Sequence, residues 1–157
     1  RPMRNISFSA TTEQVRNRQK FVTRRLIHPG KRSIWQNLKP DEHLMGIEKG
    51  QGLKKGEKVK RITEIVVLDA TPEPLDEIIR FPMRSINPYA LQPVWWADET
   101  TLEGFPELTH LQFVKMFMEM NKCDEDAPVV RILFDYVDEN RNTIASGKNV
   151  FMLGDGK

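Results

Sequence analysis

The sequence predicts an α+β fold, in which a small mixed sheet or barrel of about five strands carries short flanking helices. Segments rich in β-branched and aromatic residues follow one another at short intervals, as they do in compact β-rich domains. Sustained helical periodicity is found in one segment, in the last third of the chain. A doubly wound α/β fold would instead alternate its strands with longer helices.

Five segments are predicted to be strands, because they are rich in β-branched and aromatic residues and are bounded by turn-forming residues. They cover residues 5–9, 21–26, 43–49, 59–70 and 128–137. The fourth is the clearest of them, since it is long and β-branched. In the fifth, Val130, Ile132 and Phe134 alternate along the strand.

Three short helices and one helical turn are predicted between the strands. The first helix has Thr11 or Thr12 as its N-cap and Glu13 in its first turn. The third helix presents an apolar stripe that we expect to pack in the core. The stripe consists of Leu111, Val114, Phe117 and Met118. The three helices cover residues 11–18, 73–79 and 109–121, and the helical turn covers residues 34–38.

The 157-residue chain is long enough for one domain with a hydrophobic core and too short for two comfortable ones. We therefore predict a single domain. The domain covers residues 1–157, and its core covers about residues 4–137. An irregular excursion covers residues 80–98, and a C-terminal appendage covers residues 138–157. The excursion holds three prolines and the adjacent Trp95 and Trp96. Long irregular loops are usually functional or disordered, and the aromatic content argues against disorder here.

The net charge of +2 hides a strong asymmetry along the chain. Residues 16–32 carry seven Lys or Arg and no acidic residue, whereas residues 98–126 carry eight Asp or Glu against two lysines. This pattern predicts a basic face and an acidic face, and the basic face would attract RNA or a nucleotide. The alternative is a solvated basic surface that the acidic segment neutralises.

Several other classes of protein and site are not supported. No apolar run approaches the roughly 18 to 20 residues of a membrane span, and the first residues lack an apolar signal core, so we expect a cytoplasmic protein. Cys123 lies beside three acidic residues and is expected to be inert. The three histidines lack metal-ligand spacing, the GQGLKKG loop lacks the P-loop spacing, and no nucleophile-elbow motif occurs. No metal or cofactor is expected.

The stretch RNRQKFVTRRL, residues 16–26, contains five basic side chains and no acidic one. Packed like charges oppose compaction, so this stretch either meets a polyanion or tunes one side chain for chemistry. Burial and nearby cations both favour a neutral Lys20, which can take a proton from Thr23 or from water. Alternate residues of a strand share a face, so Thr23 points with Phe21 and Arg25. Lys20 is out of phase with Thr23, so it can contact Thr23 only if it precedes the regular strand. The alternative to a catalytic role is that this segment is a solvated basic edge strand.

This stretch resembles the K-x-x-T-x-R signature of ASCH domains, small proteins of the PUA-like β-barrel superfamily. The opening strand, ISFS, precedes the signature at the distance expected for the family. Residues 38–78 are similar to the central segment of ASCH proteins from bacteria and phages. EGFPELTHLQFVKMF resembles the family's acidic residue, turn and helix, and PVVRILFDYV its closing strand. The resemblance covers roughly residues 4–137, apart from the excursion, and implies a PUA-like barrel.

The resemblance also implies an activity. Some bacterial ASCH proteins are amidohydrolases that remove the acetyl group from N(4)-acetylcytidine with a Lys, a Thr and a Glu, which would fall on Lys20, Thr23 and Glu103. Lys20 would then act as the base, and Thr23 as the nucleophile or the group that positions water. Glu103 would carry a proton or fix the leaving amine, although Glu99 and Glu107 lie close by in the sequence.

The ligand is expected to be RNA or a modified nucleoside, while a protein partner is left open. The candidate binding residues are Arg25, Arg24, Arg18, Trp35, Lys54 and Lys55. Arg25 would hold a carbonyl oxygen, whereas for Trp35 we favour core packing over base stacking. Because other relatives are proposed RNA-binding modules and one is described as a ribonuclease, the alternative function is RNA binding without amide hydrolysis. The basic strand, the loop 49–61 and Trp95 or Trp96 would then line the cleft.

Overall fold

The computed structural model describes residues 2–30, 33–85 and 96–140, and these form an α+β fold, as predicted. The strands are β1 (Arg4–Ser7), β2 (Val22–Leu26), β3 (His43–Ile47), β4 (Arg61–Pro74), β5 (Met83–Ser85), β6 (Trp96–Asp98) and β7 (Pro128–Tyr136). The helices are α1 (Thr12–Arg16), α2 (Glu77–Arg80), α3 (Glu99–Leu102), α4 (His110–Asn121) and the 3₁₀ helix Ile34–Asn37. All five predicted strands are present. No helix in these three ranges is both long and apolar enough to cross a membrane.

The main sheet has five strands in the order β1-β3-β4-β7-β2. β1 and β3 pair in parallel, and the other neighbouring strands are antiparallel. The register shifts between Val67 and Asp69 where β4 pairs with β7, and irregularities of this kind increase the local twist of a strand. The sheet curls into a half-barrel whose two edges are β1 and β2.

β4 is longer than predicted, because it continues through Pro72 to Pro74. The sequence-based prediction ended this strand at residue 70 and assigned residues 73–79 to a helix, which in the structure begins only at Glu77. Prolines cannot donate a hydrogen bond within a sheet, so a strand tolerates them only at an edge. Among the described strands, β3 pairs with β4 as far as Val66, and the rest of β4 pairs with β7 alone. The two prolines therefore lie where one side of the strand is an edge.

Two hydrophobic clusters form the core. The larger joins all five strands of the main sheet and contains Ile6, Val22, Leu44, Ile65 and Ile132, one from each strand. The smaller lies under α4, where the helix packs against α2 and β7. Its buried members are Leu75, Ile78, Phe113, Val114, Phe117 and Val129.

The predicted stripe of α4 is correct for Val114 and Phe117, but it is wrong for Leu111, which is 51% exposed. Phe113 is buried in its place. Met118 is partly buried beside the same cluster. The helix is thus rotated slightly from the predicted face, because its neighbours present their apolar residues toward Phe113.

The excursion is not wholly irregular, since its ends pair as the antiparallel strands β5 and β6. Trp96, in β6, is 65% exposed. Trp95 and the rest of residues 86–95 lie outside the described residues, as do residues 141–157 of the predicted appendage. Helix α3, which the sequence analysis missed, follows β6 directly and is capped by Asp98, whose side chain accepts from the Thr100 N–H at 3.1 Å.

Candidate active site

A cavity of about 230 Å³ lies between the two hydrophobic clusters, beside the open edges of the half-barrel. Its wall includes Ser7 from β1, Thr23 and Arg25 from β2, and Phe113 from α4. The Arg25 Nη2 group donates to the backbone oxygen of Ser7 at 2.7 Å, so this side chain bridges the two edge strands. Unpaired strand edges expose polar backbone groups, and here a guanidinium satisfies one of them. The cavity is therefore built where the sheet is not closed.

Lys20 lies between α1 and β2 and reaches into this cavity. It precedes the regular strand, as the sequence analysis required, and its side chain is 3% exposed. Its Nζ group donates to the Glu103 Oε1 atom at 2.9 Å and to the Glu103 backbone oxygen at 2.5 Å. Burial lowers the pKa of Lys20, and the attraction of Glu103 only partly opposes this. Arg25 and Arg24 lower it slightly further.

Glu103 is positioned by the turn that ends α3. The next residue, Gly104, has a φ of +97°, and a Cβ atom built there would lie 3.1 Å from Gln14. Glycine is therefore required for the turn. Of the three acidic candidates, Glu103 contacts Lys20, Glu107 is exposed, and the buried Glu99 pairs with arginines instead. The structure thus brings Glu103 to the cavity, as expected.

Arg24 holds the second oxygen of Glu103. Its Nη1 group donates to Glu103 Oε2 at 2.8 Å, and its Nη2 group donates to Glu99 Oε1 at 2.7 Å. Burial acts to lower the pKa of Arg24, but the surrounding carboxylates outweigh it and raise this pKa. Arg24 therefore stays charged and connects the Lys20–Glu103 pair to a second layer of ion pairs.

This second layer was missed by sequence reasoning. Arg24 lies directly opposite Arg131 in the β2–β7 pairing, an arrangement of like charges that is unfavourable by itself. Glu99 lies between them, and Arg131 donates to both of its oxygens at 2.7 Å. Burial acts to raise the pKa of Glu99, but Arg131 and Arg24 outweigh it and lower this pKa. Glu99 thereby neutralises two arginines that the sheet register places side by side.

Glu73 and Arg84 complete the network on the side of β5. Arg84 donates to both oxygens of Glu73, at 2.8 and 3.1 Å, and Arg24 donates to Glu73 at 3.2 Å. The predicted basic surface is therefore partly wrong. Arg24 and Lys20 are buried and paired with Glu99 and Glu103 of the acidic segment, so their charges are neutralised by that segment, as the alternative expected, but they are not solvated.

Thr23 and Arg25 share one face of β2, which confirms the predicted phase of the strand. The Arg25 Nε group donates to the Thr23 Oγ1 atom at 3.3 Å. The guanidinium lies over the rings of Phe8 and Trp35, at 5.2 and 5.8 Å from their centroids. Burial lowers the pKa of Arg25 to about 10, with Glu103 opposing, so the group remains a cation at neutral pH.

The remaining predicted residues lie outside the cavity. Trp35 is partly buried against the larger cluster, as favoured, and also lines a wider groove of about 900 Å³ that adjoins the cavity. Arg18, Lys54 and Lys55 are exposed and line neither the cavity nor the groove. The structure therefore brings Lys20, Thr23, Glu103, Arg24 and Arg25 together and leaves these three basic residues apart.

Comparisons with known proteins add no relative. No family model, no curated protein and no solved structure matches the chain. The resemblance to ASCH domains thus stays a prediction from the sequence. Across residues 2–30, 33–85 and 96–140, His, Cys, Asp and Glu side chains form no group of three or more that could hold a metal ion.

Proposed function

We propose that this protein is a PUA-like ASCH-type amidohydrolase that removes the acyl group from the exocyclic amine of a nucleobase, as in N(4)-acetylcytidine. The supporting observation is the convergence of Lys20, Thr23 and Glu103 on one cavity, although up to 83 positions separate them in the chain. Lys20 and Glu103 are in direct contact there and are almost fully buried. Perturbed, buried titratable groups that line a cleft are typical of catalytic sites.

In this proposal Lys20 is the general base. A neutral amine has two N–H groups and one lone pair, and Glu103 provides two acceptors for Lys20, its backbone oxygen and Oε1. With both N–H groups donated to Glu103, the lone pair is left to accept a proton. The lowered pKa of Lys20 favours this neutral form.

Thr23 provides the attacking oxygen, either its own hydroxyl or that of a water it holds. Because Arg25 Nε donates to Thr23 Oγ1, the hydroxyl keeps its own proton free to donate to a base. The proton passes to Lys20 while the oxygen attacks the acyl carbon. The charged Arg25 stabilises the negative oxygen that develops, in the manner of an oxyanion hole.

Glu103 positions Lys20 throughout the reaction. Both of its carboxylate oxygens accept hydrogen bonds, from Lys20 and from Arg24. When the carbon–nitrogen bond breaks, Lys20 returns the proton to the leaving exocyclic amine. An acyl group carried by Thr23 is then released by water, which yields the free base, a carboxylate and a proton. The overall reaction consumes one water and needs no cofactor.

The proposal is tested by measuring acetate release from N(4)-acetylcytidine by the wild type and by Lys20→Ala. Loss of a general base lowers the rate by about 10²–10⁴-fold, so the variant should be almost inactive. Lys54→Ala removes an exposed lysine outside the cavity and serves as the control, with an unchanged rate. Circular dichroism must show that both variants are folded.

No hydrolysis by the wild type would refute this substrate. Equal hydrolysis by Lys20→Ala would refute the role of Lys20. If the wild type is inactive but binds RNA, the alternative of a non-enzymatic RNA-binding module gains instead.

A further inference from the structure

The wall of the cavity beside the open edges of the sheet carries more positive than negative charge. Its ionisable residues are three basic ones, Lys20, Arg24 and Arg25, and one acidic one, Glu103. A buried charge without a partner is costly, so an excess of one sign favours a ligand of the other sign. We infer that the cavity binds a small aliphatic monocarboxylate, and that Arg25 holds its carboxylate group. The inference concerns the protein without substrate, so it goes beyond the proposed reaction and does not depend on it.

The positive and negative charges around the cavity can be counted from its ion pairs. Three arginines and three carboxylates of the buried network contact one another and balance in charge. They are Arg24, Arg84, Arg131, Glu73, Glu99 and Glu103. Lys20 also contacts Glu103 but adds no charge in its neutral form, which burial favours. Arg25 forms no ion pair with any residue that the structure describes, so one negative charge would neutralise the cavity.

The guanidinium of Arg25 is oriented by its neighbours. Its Nη2 group donates to the Ser7 backbone oxygen at 2.7 Å, and its Nε group donates to Thr23 Oγ1 at 3.3 Å. The group also lies over the rings of Phe8 and Trp35. A guanidinium has five N–H groups in one plane, and these two hydrogen bonds use two of them. The others can bind the two oxygens of a carboxylate, and a single surplus charge fits a carboxylate better than a dianion such as sulfate.

One helix face supplies an apolar wall that fits an aliphatic chain. Four residues of α4 line the cavity with the i, i+3, i+4, i+7 spacing of one face. They are Phe113, Met116, Phe117 and Met120. Methionine side chains are flexible and adapt to irregular shapes. The cavity, at about 230 Å³, is smaller than the roughly 300–1,000 Å³ of sites for drug-sized molecules, so the chain of the ligand should have only a few carbons.

The test is a titration of the wild type with butyrate and with butyramide, followed by NMR. Butyramide has nearly the same shape but no charge, so the comparison isolates the contribution of the carboxylate. Hydrogen bonds to charged groups are stronger than those between neutral groups, and butyrate should bind at least about tenfold more tightly. Acetate lacks two CH₂ groups and should bind about fifteenfold more weakly than butyrate. The largest shifts are expected for the Thr23 amide and the Trp35 indole, which lie beside Arg25.

Arg25→Gln removes the cation, and Arg18→Gln is the matched control, because Arg18 is an exposed arginine that does not line the cavity. Arg25→Gln should bind butyrate and butyramide equally, whereas Arg18→Gln should keep the wild-type ratio of the two affinities. Arg25→Lys retains the charge without the planar guanidinium and should keep part of that ratio. Since Arg25 also joins the edge strands β1 and β2, circular dichroism must show that its variants are folded. The comparison of ligands in the wild type needs no variant, so it decides the inference if they are not.

Three results would overturn the inference. They are equal affinities of the wild type for butyrate and butyramide, equal ratios in Arg25→Gln and Arg18→Gln, and displacement of butyrate by an equal concentration of sulfate. None of these measurements involves acetate release, so they are distinguishable from failure of the amidohydrolase proposal. Conversely, a protein that binds butyrate as predicted but does not hydrolyse N(4)-acetylcytidine would retain the carboxylate site and lose the proposed reaction.

Discussion

Replacing Arg24 by methionine should destabilise the protein by about 3–5 kcal/mol, the usual cost of removing one partner from a buried ion pair. The Arg24 side chain is 0% exposed and contacts Glu103, Glu99 and Glu73. The expected cost is nevertheless smaller than that of three separate broken ion pairs. Glu99 keeps Arg131 and Glu73 keeps Arg84, so the uncompensated loss falls on Glu103, which among the described residues then has Lys20 as its one ion-pair partner.

Chemical denaturation followed by circular dichroism measures this difference directly. Small domains have about 5–15 kcal/mol of stability in total, so this loss is a large part of it and should lower the melting temperature by about 6–20 °C. Arg80→Met is the control, since Arg80 pairs with two carboxylates, Asp76 and Glu77, but lies on the surface, and it should leave stability unchanged within error. Similar losses in the two variants would refute the argument that the Arg24 network is buried.

Two further predictions concern the residues around Lys20. Since burial lowers the pKa of Lys20 in the folded protein, the unfolded chain binds its proton more strongly, and the Lys20 contribution to stability should rise with pH up to about the usual lysine value of 10.5. Denaturation curves at several alkaline pH values should show that the free energy of unfolding of the wild type rises with pH relative to that of Lys20→Met. A difference between the two proteins that does not change with pH would contradict this prediction. Gly104→Ala should cost about 1–3 kcal/mol, because it combines a φ of +97° with a close approach to Gln14, and it should reduce acetate release by displacing Glu103. Gly52→Ala is the control, because Gly52 has a φ of +71° but no atom lies within 4 Å of the added Cβ. It should destabilise the protein less and leave the activity unchanged. Equal effects of the two substitutions would argue against a specific role for the Gly104 turn.

Local sequence patterns were sufficient to predict the five strands of the main sheet and the place of Lys20, but not the short strands β5 and β6. β2 and β7 are rich in β-branched residues, and their alternation follows from the geometry of an extended chain. The same geometry placed Thr23 with Arg25 on one face and required Lys20 to precede the strand. Both features depend on a few neighbouring residues, so the sequence contains them directly.

The buried network could not be predicted in this way, because it depends on long-range register. Nothing local indicates that Arg24 lies opposite Arg131, or that Glu99 lies between them. A signal was nevertheless present. Glu99 and Glu103 are four residues apart, which is the spacing of one helix face, and both are buried. Two acidic residues on a face that packs inward require basic partners.

Two other differences between the prediction and the structure, in the closure of the sheet and in the buried face of α4, also have physical causes. Whether the sheet closes into a barrel depends on the distance between its two edge strands, β1 and β2, and no local sequence pattern indicates that distance. Leu111 was assigned to the core from its spacing, but the neighbours of α4 select Phe113 instead. Tertiary packing thus decided between two faces that the periodicity of the helix left nearly equivalent.

The central claim is that Lys20 and Glu103 act as one catalytic unit, and the most direct test is a double-mutant cycle on acetate release from N(4)-acetylcytidine. Lys20→Met and Glu103→Gln should each lower kcat/KM by about 10²–10⁴-fold, and the double variant should be no worse than the poorer single variant, because residues that act together are non-additive. Wild-type protein without activity, single variants that stay within about tenfold of the wild type, or losses that multiply in the double variant would contradict the claim.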